Sequence, residues 1–240
     1  MRLILCENYE EMSKKCTELI AGLVHLKPEC VLGLATGSTP IGVYENLSKL
    51  CKNGDLDFST VKTFNLDEYY PLEASNSQSY HTFMQENLFS KVNLKPESTH
   101  LLDGMAKDPD AECAAFEKMI DEAGGIDLQL LGIGRNGHIG FNEPEENLYT
   151  DTHVTDLTRS TIEANARFFN SLDEVPTKAL TMGIATILKS KKIVIMANGK
   201  AKHEAVSALL NDRITTACPA TMLKMHPDVV LICDKEAYEG

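Results

Sequence analysis

Short, almost wholly apolar runs alternate along this chain with stretches whose apolar positions recur every three or four residues. The runs Arg2 to Cys6, Cys30 to Ala35, Val61 to Leu66, Ile126 to Ile133, Lys192 to Ala197 and Asp228 to Cys233 have the length and character of buried strands. Ser98 to Leu102 is a shorter one. Met12, Cys16, Leu19, Ile20, Leu23 and Val24 share one helical face, behind a capping box made by Asn8 and Glu11. Ala111 to Ala123 forms a second amphipathic helix, stopped by Gly124-Gly125. Further helices are predicted from Pro40 to Leu50 with Thr39 as N-cap, over Ser77 to Phe89, over Ala179 to Leu188, from Asn198-Gly199-Lys200-Ala201-Lys202 onward, and over Cys218 to Met225.

Strand and helix alternate from end to end, without repeat, low-complexity run or linker. The expected fold class is α/β: one domain over residues 1–240, with an open, mainly parallel, Rossmann-like sheet and helices on both faces. The chain has 240 residues, of which 43% are hydrophobic, enough for a sizeable core. Its formal net charge of −12 speaks against nucleic acid as a partner, and any anionic ligand would have to be met by locally placed cations. Seven cysteines with no C-x-x-C pair read as small buried residues in a reducing cytosol. No apolar run is long enough for a bilayer, and Met1 to Cys6 is too short for a signal peptide. The protein is therefore expected in the cytoplasm, without a membrane partner.

The chemistry concentrates where the run Ile126 to Ile133 breaks into Gly134-Arg135-Asn136-Gly137-His138-Ile139-Gly140-Phe141-Asn142-Glu143-Pro144. Loops at strand ends are where open α/β sheets place their sites. A histidine five residues before a glutamate, across a glycine corner, can be oriented by that carboxylate for proton transfer. Gly132-x-Gly134-x-x-Gly137 spells the dinucleotide fingerprint, but Gly140 and Pro144 argue against the helix that the fingerprint needs. Thr36-Gly37-Ser38-Thr39-Pro40, between a strand and a helix start, offers an anion cradle or simply a capped turn. With no Gly-Lys-Ser/Thr it is no nucleoside-triphosphate loop. Asp67-Glu68, after the third strand, holds either a general base or an acidic loop. Lys200 and Lys202, in the first turn of a helix, stand against the dipole: either they are solvated surface lysines or an anion sits there. Glu145 to Asn170 is polar and weakly patterned apart from a short helix over Thr161 to Phe169 that carries Arg167. About 149–176 is a candidate lid.

Leu34-Ala35-Thr36-Gly37-Ser38-Thr39-Pro40, Thr63-Phe64-Asn65-Leu66-Asp67-Glu68-Tyr69, Gly132 to Pro144 and Asn165-Ala166-Arg167-Phe168-Phe169 together resemble the glucosamine-6-phosphate deaminases. The resemblance runs from the first strand to the last. The threonine-glycine-serine-threonine-proline loop is shared with 6-phosphogluconolactonases, whereas the second and third blocks belong to the deaminase branch. The resemblance implies a hydrolase of an amino sugar phosphate: glucosamine 6-phosphate and water give fructose 6-phosphate and ammonia, with no cofactor and no catalytic metal. It implies Asp67 as the base that moves a proton from C2 to C1, and His138 as the ring-opening group, oriented and charged by Glu143. Asn136 stands where many members have an aspartate. An amide can position His138 but cannot stabilise its cation by charge. Phosphate binding maps by the same resemblance to Thr36, Gly37, Ser38, Thr39, Arg167 and Lys202. Longer members are hexamers activated by N-acetylglucosamine 6-phosphate. Here Glu146 replaces a small hydroxyl at the matching effector position, and the chain stops soon after its last strand. A monomer with hyperbolic kinetics is expected. The rivals are a 6-phosphogluconolactonase-like hydrolase, which would not need Asp67 as a carbon base, and a non-catalytic sugar-phosphate sensor.

Overall fold

A computed structural model describes residues 1–158, 162 and 175–240. Seven strands form one parallel sheet: β1 (Arg2–Cys6), β2 (Val31–Leu34), β3 (Lys62–Asn65), β5 (Thr99–His100), β6 (Leu128–Gly132), β9 (Ile193–Ala197) and β10 (Val229–Asp234). Their order is β1-β10-β9-β6-β2-β3-β5, with every pairing parallel. Side chains alternate between the two faces of a strand, and each face carries its own core. Leu32, Leu34, Leu128, Leu130, Val194 and Met196 pack beneath α1 (Tyr9–Leu26) and α2 (Ile41–Lys52). Val31, Phe64, Leu131, Ile193 and Ile195 pack with α4 (Pro109–Glu122) and α6 (His203–Leu210). This two-sided burial is why β2, β9 and β10 are apolar almost without alternation, whereas the edge strands β1 and β5 stay partly exposed.

The expected face of α1 is buried at Met12, Cys16, Ile20 and Val24, and the Asn8 side chain accepts from the Glu11 backbone N–H. Pro40, rather than Thr39, occupies the N-cap of α2, with no side-chain cap. The Thr39 hydroxyl is turned instead to Asn198 Oδ1, at 3.2 Å. The helix opened by Lys200–Lys202 is a 3₁₀ turn, and α6 itself starts at His203. In place of the helix expected over Ala179 to Leu188 there is a strand, β8 (Lys178–Thr181), followed by only a short α5 (Ile184–Leu188). Ala, Leu and Met favour a helix when only their neighbours count, and tertiary pairing overrode that preference. Pairing on both edges decided the matter, against β4 (Asp67–Tyr70) on one side and β7 (His153–Asp156) on the other.

That small antiparallel sheet is absent from the sequence reading. The stretch Asp67-Glu68-Tyr69-Tyr70, expected as an acidic loop or a base at a strand's end, is β4, and β7 arises within the polar segment after Pro144. Leu66 is the junction between the sheets. Its N–H donates to Leu34 O of the large sheet (3.0 Å), and its carbonyl accepts from Met182 N beside the small one (2.8 Å). No helix among the described residues is long and apolar enough to cross a membrane. Most of the lid expected over 149–176, the short helix over Thr161 to Phe169 apart from Ile162, and Arg167 lie outside the described residues.

Candidate active site

From β2 the chain moves outward to β3 and β5, and from β6 it moves the other way to β9 and β10. The β2–β6 pair is thus the topological switch point, where the loops leaving the carboxyl ends part and leave a crevice. The loop after β2 brings Thr36 to Thr39, the loop after β6 brings Asn136, His138 and Glu143, the end of β3 leads into Asp67, and the turn after β9 brings Lys202.

No helix follows Gly132-x-Gly134-x-x-Gly137, so the dinucleotide fingerprint has no helix N-terminus to offer. The loop closes on itself instead: Gly134 N donates to His138 O (2.9 Å) and Gly137 N to Gly134 O (3.1 Å). A Cβ on Gly134 would stand 2.4 Å from the His138 imidazole, so a residue without a side chain is what lets the ring lie against the backbone here. His138 Nδ1 is 3.2 Å from Glu143 Oε1, an ion-pair distance without hydrogen-bond alignment. Asn136 joins the two: its Nδ2 donates to Glu143 Oε2 at 2.6 Å, and its Oδ1 accepts from the His138 N–H at 3.2 Å. The amide therefore orients both partners.

Asp67 and Glu68 are buried side by side at the start of β4. Burial first, and then the neighbouring Glu68 charge, push the Asp67 carboxyl up to about 8. Glu68 is fixed by donors from the start of α3 (Tyr80–Asn87). It accepts from the backbone N–H groups of Tyr69 (2.9 Å), Tyr80 (2.9 Å) and His81 (3.1 Å), with His81 Nδ1 at 3.0 Å. Asp67 and the His138 loop meet at Gly140, where a Cβ would come 3.6 Å from Asp67 Oδ2. Tyr69, Tyr80 and Phe141 close this side as a cluster of rings 4.9–6.1 Å apart.

The loop after β2 is braced from α1: the Tyr9 hydroxyl donates to Ser38 O and Thr39 O, both at 3.1 Å, and accepts from Gly42 N at 2.9 Å. Lys202 Nζ donates to Ile133 O at 2.6 Å, at the root of the His138 loop. Burial, and then the like charge of Arg135, lower its proton affinity. Sequence reasoning passed over Arg135, although it lies inside the central loop, and over Tyr80 and Thr181. Arg135 was legible as a cation beside a glycine turn. Tyr80 and Thr181 carry no local signal, since only α3 and β8 bring them near. Among the described residues no three His, Cys, Asp or Glu side chains gather as a metal site would need.

A buried carboxylate and a histidine beside a second carboxylate, brought together by loops at the carboxyl ends of the switch-point strands, define an enzyme-like α/β site. The chain belongs to the glucosamine-6-phosphate isomerases/6-phosphogluconolactonase family, whose model matches residues 7–231. It is 55% identical over 237 residues to a glucosamine-6-phosphate deaminase of Halothermothrix orenii, covering 99% of this chain and 98% of that one. A deaminase of Clostridioides difficile is likewise 55% identical, with 99% and 95% covered. Among solved structures, a monomeric glucosamine-6-phosphate deaminase superposes with a TM-score of 0.96 at 46% identity, covering 99% and 98% of the two chains. The 6-phosphogluconolactonase of Thermotoga maritima, at 22% identity and a TM-score of 0.75, shares the fold.

Proposed function

We propose that this chain is a glucosamine-6-phosphate deaminase, with residues 1–240 acting as one sugar-phosphate domain. It converts glucosamine 6-phosphate and water to fructose 6-phosphate and ammonia. The observation that carries this reading is the meeting of Asp67 with the His138 loop at Gly140, in a chain 55% identical over nearly its full length to deaminases. A lactonase has no need of a buried carbon base, so the lactonase alternative is not favoured.

His138, positioned by Asn136 and Glu143, passes a proton to the pyranose oxygen as the C1–O5 bond breaks, and the C1 hydroxyl gives up its proton to become the aldehyde. Asp67 then takes the C2 proton of the aldehyde and returns it to C1. A carboxyl held at about 8 is strongly basic once ionised, which suits a carbon acid. The C2–N bond breaks after water adds at C2, so water oxygen becomes the ketone and ammonia leaves. In that sense the reaction is a hydrolytic deamination coupled to isomerisation. Thr36, Gly37, Ser38, Thr39 and Lys202 hold the phosphate, with Arg167 as a further cation. No cofactor or metal enters any of these steps. The protein acts as a cytoplasmic monomer on a small sugar phosphate, without nucleic-acid or membrane partners. Incubation with glucosamine 6-phosphate should release ammonia and fructose 6-phosphate in equal amounts. Ammonia-free turnover of 6-phosphogluconolactone would overturn the reading.

A further inference from the structure

The two halves of the site belong to different sheets. Asp67 opens β4 of the small sheet, whereas the His138 loop hangs from β6 of the large one. A proton at C2 and the ring oxygen are a few ångströms apart in one sugar, so their separation has to be fixed by the protein. The ties that fix it converge on two residues at the end of β8. Met182 N donates to Leu66 O at 2.8 Å, beside Asp67, and Met182 O accepts from Asn142 Nδ2 at 2.8 Å. Thr181 is the direct antiparallel partner of Asp67. Its Oγ1 accepts the backbone N–H of Phe141 at 3.1 Å. Of these ties, Thr181 Oγ1 is the one that a side chain of β8 supplies.

Gly140 shows how closely the parts fit. It has φ +57°, and a Cβ there would come 2.8 Å from Thr181 Oγ1 and 3.6 Å from Asp67 Oδ2. The loop therefore lies with its backbone directly on the threonine hydroxyl. Thr181 is fully buried, and among the described residues its own proton reaches Met182 O at a long 3.4 Å. A helix or strand needs no hydroxyl at this place. An apolar residue of equal size would fill the same space and pair the same backbone.

We infer that Thr181 is a positioning residue, whose hydroxyl sets the distance between the His138 loop and Asp67 through the Phe141 N–H and the bare backbone of Gly140. It touches no substrate and acts through the loop. The inference rests on the deaminase reading above for its kinetic consequence, not for its geometric content. Misplacing reacting groups by about 1 Å can cost on the order of 10²-fold in rate.

The test compares Thr181→Val, which keeps the shape and removes the acceptor, with Thr181→Ser, which restores it. With glucosamine 6-phosphate, Val is expected to lower kcat by about tenfold to a hundredfold with KM changed less than about threefold. Ser should return kcat to within about threefold of the parent. In parallel, hydrogen exchange over residues 139–142 should quicken in the Val variant and not in the Ser variant, while β6 and β10 exchange as in the parent. Unchanged kcat in Val, equal loss in both variants, a loss confined to KM, or unaltered loop exchange would each overturn the role. If the parent releases no ammonia, the deaminase reading fails, and the exchange comparison alone decides whether Thr181 holds the loop.

Discussion

At the scale of single residues, the site is held in states that a free side chain would not choose. Asp67, raised to about 8, must lose its proton to act as a base. Activity is therefore expected to rise with pH through about 8, an acid limb visible in kcat/KM of the free enzyme. Asp67→Asn should lower turnover by about 10²–10⁴-fold while substrate still binds, which isothermal titration beside a rate assay would check. A sign for stability follows from the same shift. An unfolded aspartate loses its proton near pH ~3.9, whereas the folded one keeps it to about 8, so the folded state binds more protons between those values. The stability Asp67 contributes is full below the lower value and is lost as pH rises through the higher. Asp67→Asn should accordingly raise Tm relative to the parent, by more at pH 9 than at pH 4. A Tm difference that does not grow with pH would contradict this. Gly134 is the complementary case. Ala there puts a Cβ 2.4 Å from the His138 ring. The expected result is a loss of about 10²-fold in kcat with unchanged circular dichroism.

At the scale of elements, α3 and β4 are joined by one carboxylate. Glu68 takes three backbone N–H groups and faces His81, so it stabilises the start of α3 while its charge raises Asp67. Glu68→Gln keeps one acceptor oxygen but turns an NH₂ toward donors. It should cost about 1–3 kcal/mol in urea unfolding, because buried N–H groups lose their partners. Removing the negative charge lets Asp67 ionise more readily, so the acid limb should move to lower pH. A limb that stays in place would separate the structural role of Glu68 from the electrostatic one.

At the scale of the whole molecule, a protein of net charge −12 acting on a sugar phosphate would need locally placed cations such as Lys202 to catch the phosphate. Lys202→Ala is expected to raise KM by about tenfold or more with a smaller fall in kcat, and glucosamine without phosphate should be a very poor substrate. Comparable kcat/KM for the two sugars would remove the phosphate from the picture. Sedimentation of the active enzyme should give the mass of a single chain, and rate curves should be hyperbolic with or without N-acetylglucosamine 6-phosphate.

The sequence by itself determined the centre of the large sheet, because strands buried on both faces, as β2, β9 and β10 are, must be almost wholly apolar and so announce themselves in Leu32, Val194 or Leu231 without any knowledge of their neighbours. It also marked the loops after β2 and β6, since glycine, hydroxyl, histidine and carboxylate side by side are dictated locally by turn and chemistry. The small sheet had to wait for tertiary structure. β4, β7 and β8 are four residues each, and Ala179-Leu180 takes up extended backbone only because Glu68-Tyr69 and Val154-Thr155 flank it. Short strands draw their stability from cross-strand partners distant in sequence, which no window of neighbouring residues contains. For the same reason the burial that lifts Asp67, the fixing of Glu68 by α3 and the approach of Thr181 to Gly140 emerged only with the folded chain. Each is a relation between residues that the sequence keeps apart and the junction of the two sheets brings together.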